Sequence, residues 1–378
     1  MDRKKILYVH HSGGLGGAPK SMGYIIKNLD QKKFSPTLLN ISEGPINDFF
    51  RELPCELIIL KKGIRPFHGS YVVKSNLFHY LYGWFFLIPS IILAYKHIKR
   101  IKPDLIHLNS SCLFAFAIAA HFFKIKTICH VREPIRKGWA GWPLRFFCKA
   151  YVSGFIAISQ YDLDSLQFTT SNTQPREVIY NFVENFSSSI TSLESPIRSE
   201  FNVTKNGTLF LYLARFAESN GWIKLIEMAR EVVRKNSNAH FILVGAQTDN
   251  HFINTGHDNI QIIGYRSDIE ELLNGTDVFV CPFVLPHFAR GVIEAAAYSR
   301  PSIGSDVGGV NELIKDKFNG FLYQSENEFV SLCQVLIDDI DKRKLLGSQA
   351  YNYAIQNFDL KKNLEKTYDF YTNFVSEE

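Results

Sequence analysis

Short apolar runs alternate along the chain with longer stretches whose apolar residues recur every three to four positions. ILYVH (6–10), SPTLLNI (35–41), ELIIL (56–60), DLIHL (104–108), KTICH (126–130), GFIAIS (154–159) and EVIYN (177–181) read as strands. Helical stretches fall near 18–29 and 45–52, over the apolar 77–95 and over 112–123. Alternation of this kind builds βαβ units and a mostly parallel sheet. The pattern lapses over 184–200, ENFSSSITSLESPIRSE, which holds six serines and one proline. It then restarts. TLFLYLA (208–214), HFILVG (240–245), IQIIG (260–264), DVFVCPF (277–283) and PSIGS (301–305) read as strands with helices between them. Trp222, Leu225, Ile226, Ala229, Val232 and Val233 share one helical face, and after 327 the pattern is helical only.

This predicts an α/β chain of two doubly wound domains. The expected boundaries are 1–185 for the first domain, 186–200 for a linker and 201–355 for the second. A C-terminal helix over 356–378 is expected to pack back on the first domain. Ligands of doubly wound folds bind at the carboxyl ends of the strands, so a cleft between the two sheets is the expected site.

Composition narrows the function classes. The chain has 378 residues, 46% hydrophobic and 21% charged, which suits packed cores and excludes wholesale disorder. A net charge of +5 suits an anionic small molecule or membrane surface and gives no argument for nucleic acid. The six cysteines form no C-x-x-C pair and read as buried free thiols in a reducing compartment. The apolar run after MDRKK is too short for a signal peptide, which predicts a cytoplasmic start.

One segment bears on the membrane. Leu77 to Tyr95, LFHYLYGWFFLIPSIILAY, carries no formal charge and is followed by Lys96, Lys99, Arg100 and Lys102. Its length would span a bilayer. Pro89 and the strands on either side argue instead for a crossover helix, either buried or lying on a membrane face.

Two stretches carry candidate chemistry. HHSGGLGGAPKS (10–21) follows the first strand with Gly13, Gly14, Gly16 and Gly17. It is not a dinucleotide fingerprint, because Pro19 occupies the third glycine position, and no Gly-Lys-Ser/Thr follows to make a P-loop. The second strand ends in LLNIS with no acidic residue for a ribose, which also disfavours a dehydrogenase. In PHFARGVIEAAAYSRPSIGSDVGGVNEL (286–313) a helix starts near Ala289, and its N-terminus beside Arg290 is an anion site in prospect. Glu294, one turn in, either accepts two ribose hydroxyls or pairs locally. Gly308–Gly309 ahead of a further helix reads as a second close-approach turn.

This second stretch resembles the donor-site signature of the retaining GT-B glycosyltransferases of family 4, roughly E-x-F-G-R-x-x-x-E-A followed by G-x-P-V-I and G-G-x-x-E. Phe288, Arg290, Glu294, Ala295, Pro301, Gly308, Gly309 and Glu312 fall in place. LYLARFAESNGWIKLIEMA resembles the family's G-R-x-x-x-x-K-G segment with Arg215 at the arginine. GYRSDIEELLNGTDVFVCPF, with Arg266, resembles its base-proximal segment, and VIYNFV its hinge strand. The resemblance covers nearly the whole chain. It departs at two positions: Pro286 stands where the family has a glutamate that helps hold the donor sugar, and Asn220 where it has a diphosphate-binding lysine.

What the resemblance implies is transfer of a sugar from a nucleotide diphosphate sugar with retention at the anomeric carbon, with no metal and no cofactor beyond the donor. It implies catalytic roles for His130, Arg215 and Glu294. Donor contacts would come from Gly14, Gly16, Gly17, Arg215, Asn220, Arg266, His287, Phe288, Ala289, Arg290 and Glu294. The acceptor side would be formed by Asn109, Ser110, Arg132 and Glu133. His287 or the backbone N–H groups of 287–290 would take over from the missing glutamate. His10 and His11 flank the glycine loop and are assigned no chemistry. The expected partners are a nucleotide sugar, a glycan or lipid-linked glycan acceptor of cell-surface polysaccharide synthesis, and the inner face of a membrane through 77–95. The other reading, prompted by Pro286 and Asn220, is a non-catalytic or weakly active nucleotide-sugar binder.

Overall fold

The computed structural model describes residues 3–61, 63–71, 77–188, 195–245 and 255–375. The chain divides into two compact units, 1–181 with 361–378, and 182–360.

The first unit is built on seven strands: β1 (Lys4–His10), β2 (Phe34–Asn40), β3 (Glu56–Ile59), β4 (Leu105–Leu108), β5 (Lys126–Val131), β6 (Gly154–Ala157) and β7 (Arg176–Val178). They form one sheet in the order β3-β2-β1-β4-β5-β6-β7, and every pair is parallel. The interior strands are buried along all but their first residues, as expected for a sheet covered on both faces. Six helices make the crossovers: α1 (Gly17–Lys27), α2 (Ile46–Arg51), α3 (Leu77–Ile101), α4 (Phe114–His121), α5 (Trp142–Tyr151) and α6 (Gln160–Asp164). A 3₁₀ turn at Ser111–Leu113 precedes α4, so the helix expected over 112–123 is shorter and starts later.

The second unit repeats the plan with β8 (Thr208–Leu213), β9 (Ala239–Val244), β10 (Ile260–Ile263), β11 (Val278–Cys281), β12 (Ser302–Ser305) and β13 (Gly320–Tyr323). Their order is β10-β9-β8-β11-β12-β13, again parallel throughout. Its helices are α7 (Pro196–Glu200), α8 (Trp222–Lys235), α9 (Ile269–Gly275), α10 (Arg290–Ala297), α11 (Glu326–Asp338) and α12 (Ile340–Asn357). On α8 the face read from the sequence is the buried one, packed against Phe210, Phe241 and Phe329.

Three sequence expectations change here. Residues 196–200 of the expected linker fold as α7, because Arg198 is a buried cation of the second unit. It donates to Asp277 at 2.7 Å and to the Gly275 carbonyl at 3.1 Å. Residues 189–194 of that linker lie outside the described residues. Gly308–Gly309 leads into successive turns instead of a helix. The edge strand β13 follows those turns, where no strand is expected.

The last helix, α13 (Leu360–Val375), belongs to the first unit. Tyr371 Oη pairs with His107 Nδ1 at 2.8 Å, and Tyr368 Oη donates to the Ile25 carbonyl at 2.8 Å. Phe374 covers Gly154 so closely that a Cβ there would meet its ring at 2.3 Å.

Candidate functional site

In both sheets the strand order reverses once, between β1 and β4 in the first and between β8 and β11 in the second. Ligands of doubly wound folds gather at such switch points, outside the carboxyl ends. Two side-chain clusters stand there, one in each unit.

In the first unit, the strand ends of β1, β4 and β5 deliver His10, Asn109 and Arg132 to one buried network. Arg132 donates from Nε to Asn109 Oδ1 at 2.6 Å and from one terminal nitrogen to Asn181 Oδ1 at 3.1 Å. Its other terminal nitrogen donates to His130 Nδ1 at 3.3 Å. Asn109 Nδ2 donates to His10 Nδ1 at 3.0 Å and to the Ala18 carbonyl at 3.2 Å. Ser21 on α1 donates to Asn181 Oδ1 at 3.1 Å. With Nδ1 accepting from a permanent cation, His130 carries its proton on Nε2. That atom is buried with no partner, as is Nε2 of His10. Burial holds both imidazoles well below their ordinary pKa, and Arg132 adds to it, so both are neutral. Ser110, expected on the acceptor side, caps the 3₁₀ turn by accepting from the Cys112 amide at 3.3 Å. Glu133 is half-buried beside Arg132.

The glycine loop sorts into two kinds of position. A Cβ on Gly13 would lie 2.0 Å from the Glu43 carbonyl oxygen, so glycine there is a packing requirement. At Gly14 and Gly16 a Cβ would meet its nearest neighbours at 3.6 and 3.8 Å, which is ordinary contact. The fold does not ask for glycine at these two positions. Gly16 precedes α1 without a side-chain cap, and Gly17 is the first residue of the helix.

The cluster of the second unit is carried by the segments after β8 and β11. Arg215 is exposed just past β8. Its carbonyl is gripped by Tyr212 Oη and Asn220 Nδ2, both at 3.0 Å. Asn220 is buried, and its Oδ1 accepts from Ser219 Oγ at 3.0 Å. The residue in the lysine's place thus braces the loop that bears Arg215. Gly221, in the left-handed region at φ 70°, then turns the chain into α8, and a Cβ there would overlap the Pro282 carbonyl.

After β11, the His287 ring stacks on Phe283 with centroids 4.2 Å apart and planes 13° from parallel. Its Nδ1 donates to the Leu285 carbonyl at 2.8 Å, which leaves Nε2 as an acceptor in the neutral ring. Burial, with a further contribution from Arg215, lowers its pKa to about 4. Phe288 and Ala289 are buried and seat the start of α10, which has no side-chain cap. The backbone N–H groups of its first turn are therefore the helix's anion-facing donors. Arg290 Nε donates to Glu294 Oε1 at 2.7 Å, the local pairing that the sequence left open. Gly309, at φ 86°, presses on the His287 carbonyl, where a Cβ would stand 2.7 Å away. The Gly-Gly turn thereby fixes the 287–290 segment. Arg266 lies in a separate ion pair, donating to Asp268 at 2.8 Å and to Glu200 on α7 at 2.5 Å.

Among the described residues no group of three His, Cys, Asp or Glu side chains converges as a metal site. A pocket of about 340 Å³, lined by Lys126, Ser153, Pro175 and Phe374, lies at the opposite end of the first sheet from Asn109 and Arg132.

Comparison with known proteins places these clusters in context. Residues 15–185 match the model of Glycosyltransferase Family 4, and residues 194–353 match that of Glycosyl transferases group 1. The chain is 24% identical over 324 residues to the UDP-Gal:alpha-D-GlcNAc-diphosphoundecaprenol alpha-1,3-galactosyltransferase of Escherichia coli, across 76% of this chain and 80% of that one. It is 24% identical over 176 residues to the capsular polysaccharide biosynthesis glycosyltransferase CapM of Staphylococcus aureus, across 44% and 46%. The crystal structure of Anabaena HepE with UDP and glucose superposes with a TM-score of 0.78 at 19% identity, covering 98% of this chain and 100% of that one. That likeness gives the fold, GT-B, with its two parallel-sheet α/β domains.

Proposed function

Because the chain belongs to the group 1 glycosyltransferases, and so is a glycosyl-transferring enzyme, we propose that it moves a sugar from a nucleotide diphosphate sugar to a lipid-linked glycan, with retention at the anomeric carbon, in cell-surface polysaccharide synthesis. The observation that carries this reading is the second unit's cluster. It brings an exposed arginine, an uncapped helix N-terminus, a neutral histidine acceptor and the Arg290–Glu294 pair to one sheet switch point.

Each part has a task in that reaction. Arg215 and the α10 N-terminus neutralise the diphosphate, and no resident metal is required of them. Arg290 contributes its guanidinium while Glu294 holds it by Nε and offers its second oxygen to ribose hydroxyls. His287 Nε2 accepts from a hydroxyl of the donor sugar, the task that Pro286 cannot perform. As the sugar–phosphate bond lengthens, positive charge grows on the anomeric carbon and negative charge on the leaving phosphate. Fixed dipoles and arginines already aimed at the phosphate lower that barrier without reorganising. The leaving phosphate oxygen takes the proton of the acceptor hydroxyl on the same face of the sugar. In the first unit we assign the acceptor side to Asn109 and Arg132, whose buried network also holds His130.

The acceptor class draws support from the diphosphoundecaprenol-linked substrate in the name of the E. coli relative and from the capsular pathway in that of CapM. With such an acceptor the enzyme works in the cytoplasm at the inner membrane face, touching it through 77–95. Titration calorimetry with UDP and with GDP tests the donor half. One of the two binds, and Arg215→Met weakens it by about tenfold or more. Equal, undiminished binding by the variant removes Arg215 from the site.

A further inference from the structure

Over 77–95 helix α3 is apolar all round, yet only one side of it is buried. Gly83, Leu87, Ser90, Ala94, Ile98 and Ile101 form the inward stripe. On the outward side Phe78, Leu81, Phe85, Ile88 and Ile92 recur at the same helical spacing and are half to three-quarters exposed, Phe85 at 76%. A helix with no polar face normally has apolar surroundings on every side. Here half of those surroundings are missing from the fold.

The outward stripe continues onto neighbouring elements. Tyr80 on α3 meets Trp139 edge-on at 4.7 Å. Trp142 and Phe146, stacked at 5.1 Å on α5, are both about half exposed. At the other end, Tyr95 meets Phe122, which is 68% exposed beyond α4. The turn that presents Lys137 and Trp139 is held rigidly: Arg145 donates to the Gly138 carbonyl at 2.8 Å and to that of Arg136, and Arg136 donates to the Ser70 carbonyl at 2.8 Å. Gly138 sits at φ 73° with open space around it.

Charge is segregated along the chain, in the segment that contains α3 and α5. Residues 57–161 hold fifteen lysines and arginines against two acids, Asp104 and Glu133. That is an excess of +13 within a chain whose total is +5, so the remainder carries −8. Lys96, Lys99, Arg100, Lys102, Lys124 and Lys137 are exposed. Exposed aromatics and aliphatics together with so strong a basic excess match one kind of surface: apolar chains beneath anionic headgroups.

Deepening the lipid-linked acceptor reading on which it rests, we propose that this face seats the first unit on an anionic bilayer leaflet, with α3 lying in the headgroup boundary parallel to the surface. Crossing is the wrong description of α3. It joins β3 to β4, parallel members of one sheet, and its inward stripe is part of that unit's core. The seat needs two elements: α3 supplies the buried apolar length, and the Trp139–Phe146 segment supplies interfacial aromatic anchors.

The test is sedimentation of the full chain with vesicles of phosphatidylcholine alone and of phosphatidylcholine with phosphatidylglycerol. The anionic vesicles should carry the protein down and the neutral ones should not, with binding falling steeply as salt rises. Phe85→Glu with Ile88→Glu should weaken partitioning by about tenfold or more while leaving the thermal transition unchanged. Trp139→Phe with Trp142→Phe should leave only the weaker quenching of Trp84 on α3 by shallow brominated lipids. Equal binding to both vesicles, binding to neither, or a dimer in solution broken by the α3 substitutions would overturn the proposal, the last by showing a second copy as the occupant. Vesicle binding with no sugar transfer would sink the functional reading and leave the seat standing. Transfer without vesicle binding would do the reverse.

Discussion

Arg132 gives its Nε–H to Asn109 Oδ1 across 2.6 Å, and the amide of the same asparagine turns its nitrogen to His10 Nδ1 at 3.0 Å. One buried cation and one amide thus tie together the ends of three adjacent strands. Arg132→Met keeps the stem but takes from Asn109 Oδ1 the guanidinium that donates to it, and from Asn181 one of two donors, the other being Ser21. The expected loss is about 2–4 kcal/mol in denaturant unfolding. A loss within error would show that the network is not holding these strand ends.

The glycines make a sharper contrast. Gly13→Ala pushes a methyl into the Glu43 carbonyl and should cost about 1–3 kcal/mol. Gly14→Ala and Gly16→Ala have room and should change stability by less than about 0.5 kcal/mol. If the loop approaches a substrate, these two variants lose transfer activity of about tenfold or more while folding normally. Normal folding with full activity would reduce the loop to a tight turn.

His287 offers an acceptor that phenylalanine cannot. His287→Phe preserves the stack on Phe283 but removes Nε2 and the Nδ1–H donor to Leu285, so kcat/KM should fall by about 10–100-fold at a cost of about 1 kcal/mol in stability. A variant as active as the parent would assign the sugar contact elsewhere.

Acid should destabilise the first unit in a defined window. Burial lowers the pKa of His11 to about 4 and that of His107 to about 3, against an ordinary value near 6.5. Between those values the unfolded chain binds the extra protons, so folding stability is complete above about pH 6.5 and declines as pH falls toward 4. Each such histidine contributes a slope of up to about 1.4 kcal/mol per pH unit there. Urea unfolding from pH 7 to 4.5 measures the slope, and His11→Gln should make it shallower.

How much of this could be read in the sequence follows from the kind of force involved. The buried parallel strands announce themselves as apolar runs, and the 286–313 signature marks the segment that carries His287, Arg290 and Glu294. Periodicity did not reveal β13, since GFLY is four residues long at a sheet edge. It also misread Gly308–Gly309, whose turn is dictated by packing on the His287 carbonyl. Asn220 bonds to the backbone of Arg215 and Ser110 to that of Cys112, partners that the sequence did not announce. Such partners are chosen by tertiary proximity, which residue spacing does not encode. The same limit applied to α3: with apolar residues on every side, the sequence could not say which stripe the core would take. Only the charge imbalance around that helix was plainly written in the chain.

The most direct measurement is the reaction itself. The enzyme is incubated with a panel of UDP- and GDP-sugars and a polyprenyl-diphosphate-linked sugar, and the lipid product is followed by mass and by NMR of the new linkage. The expected result is a mass gain of one glycosyl unit from one donor, with the donor's anomeric configuration kept. Nucleotide-sugar binding without turnover across the whole panel, or a product with inverted configuration, would contradict the account.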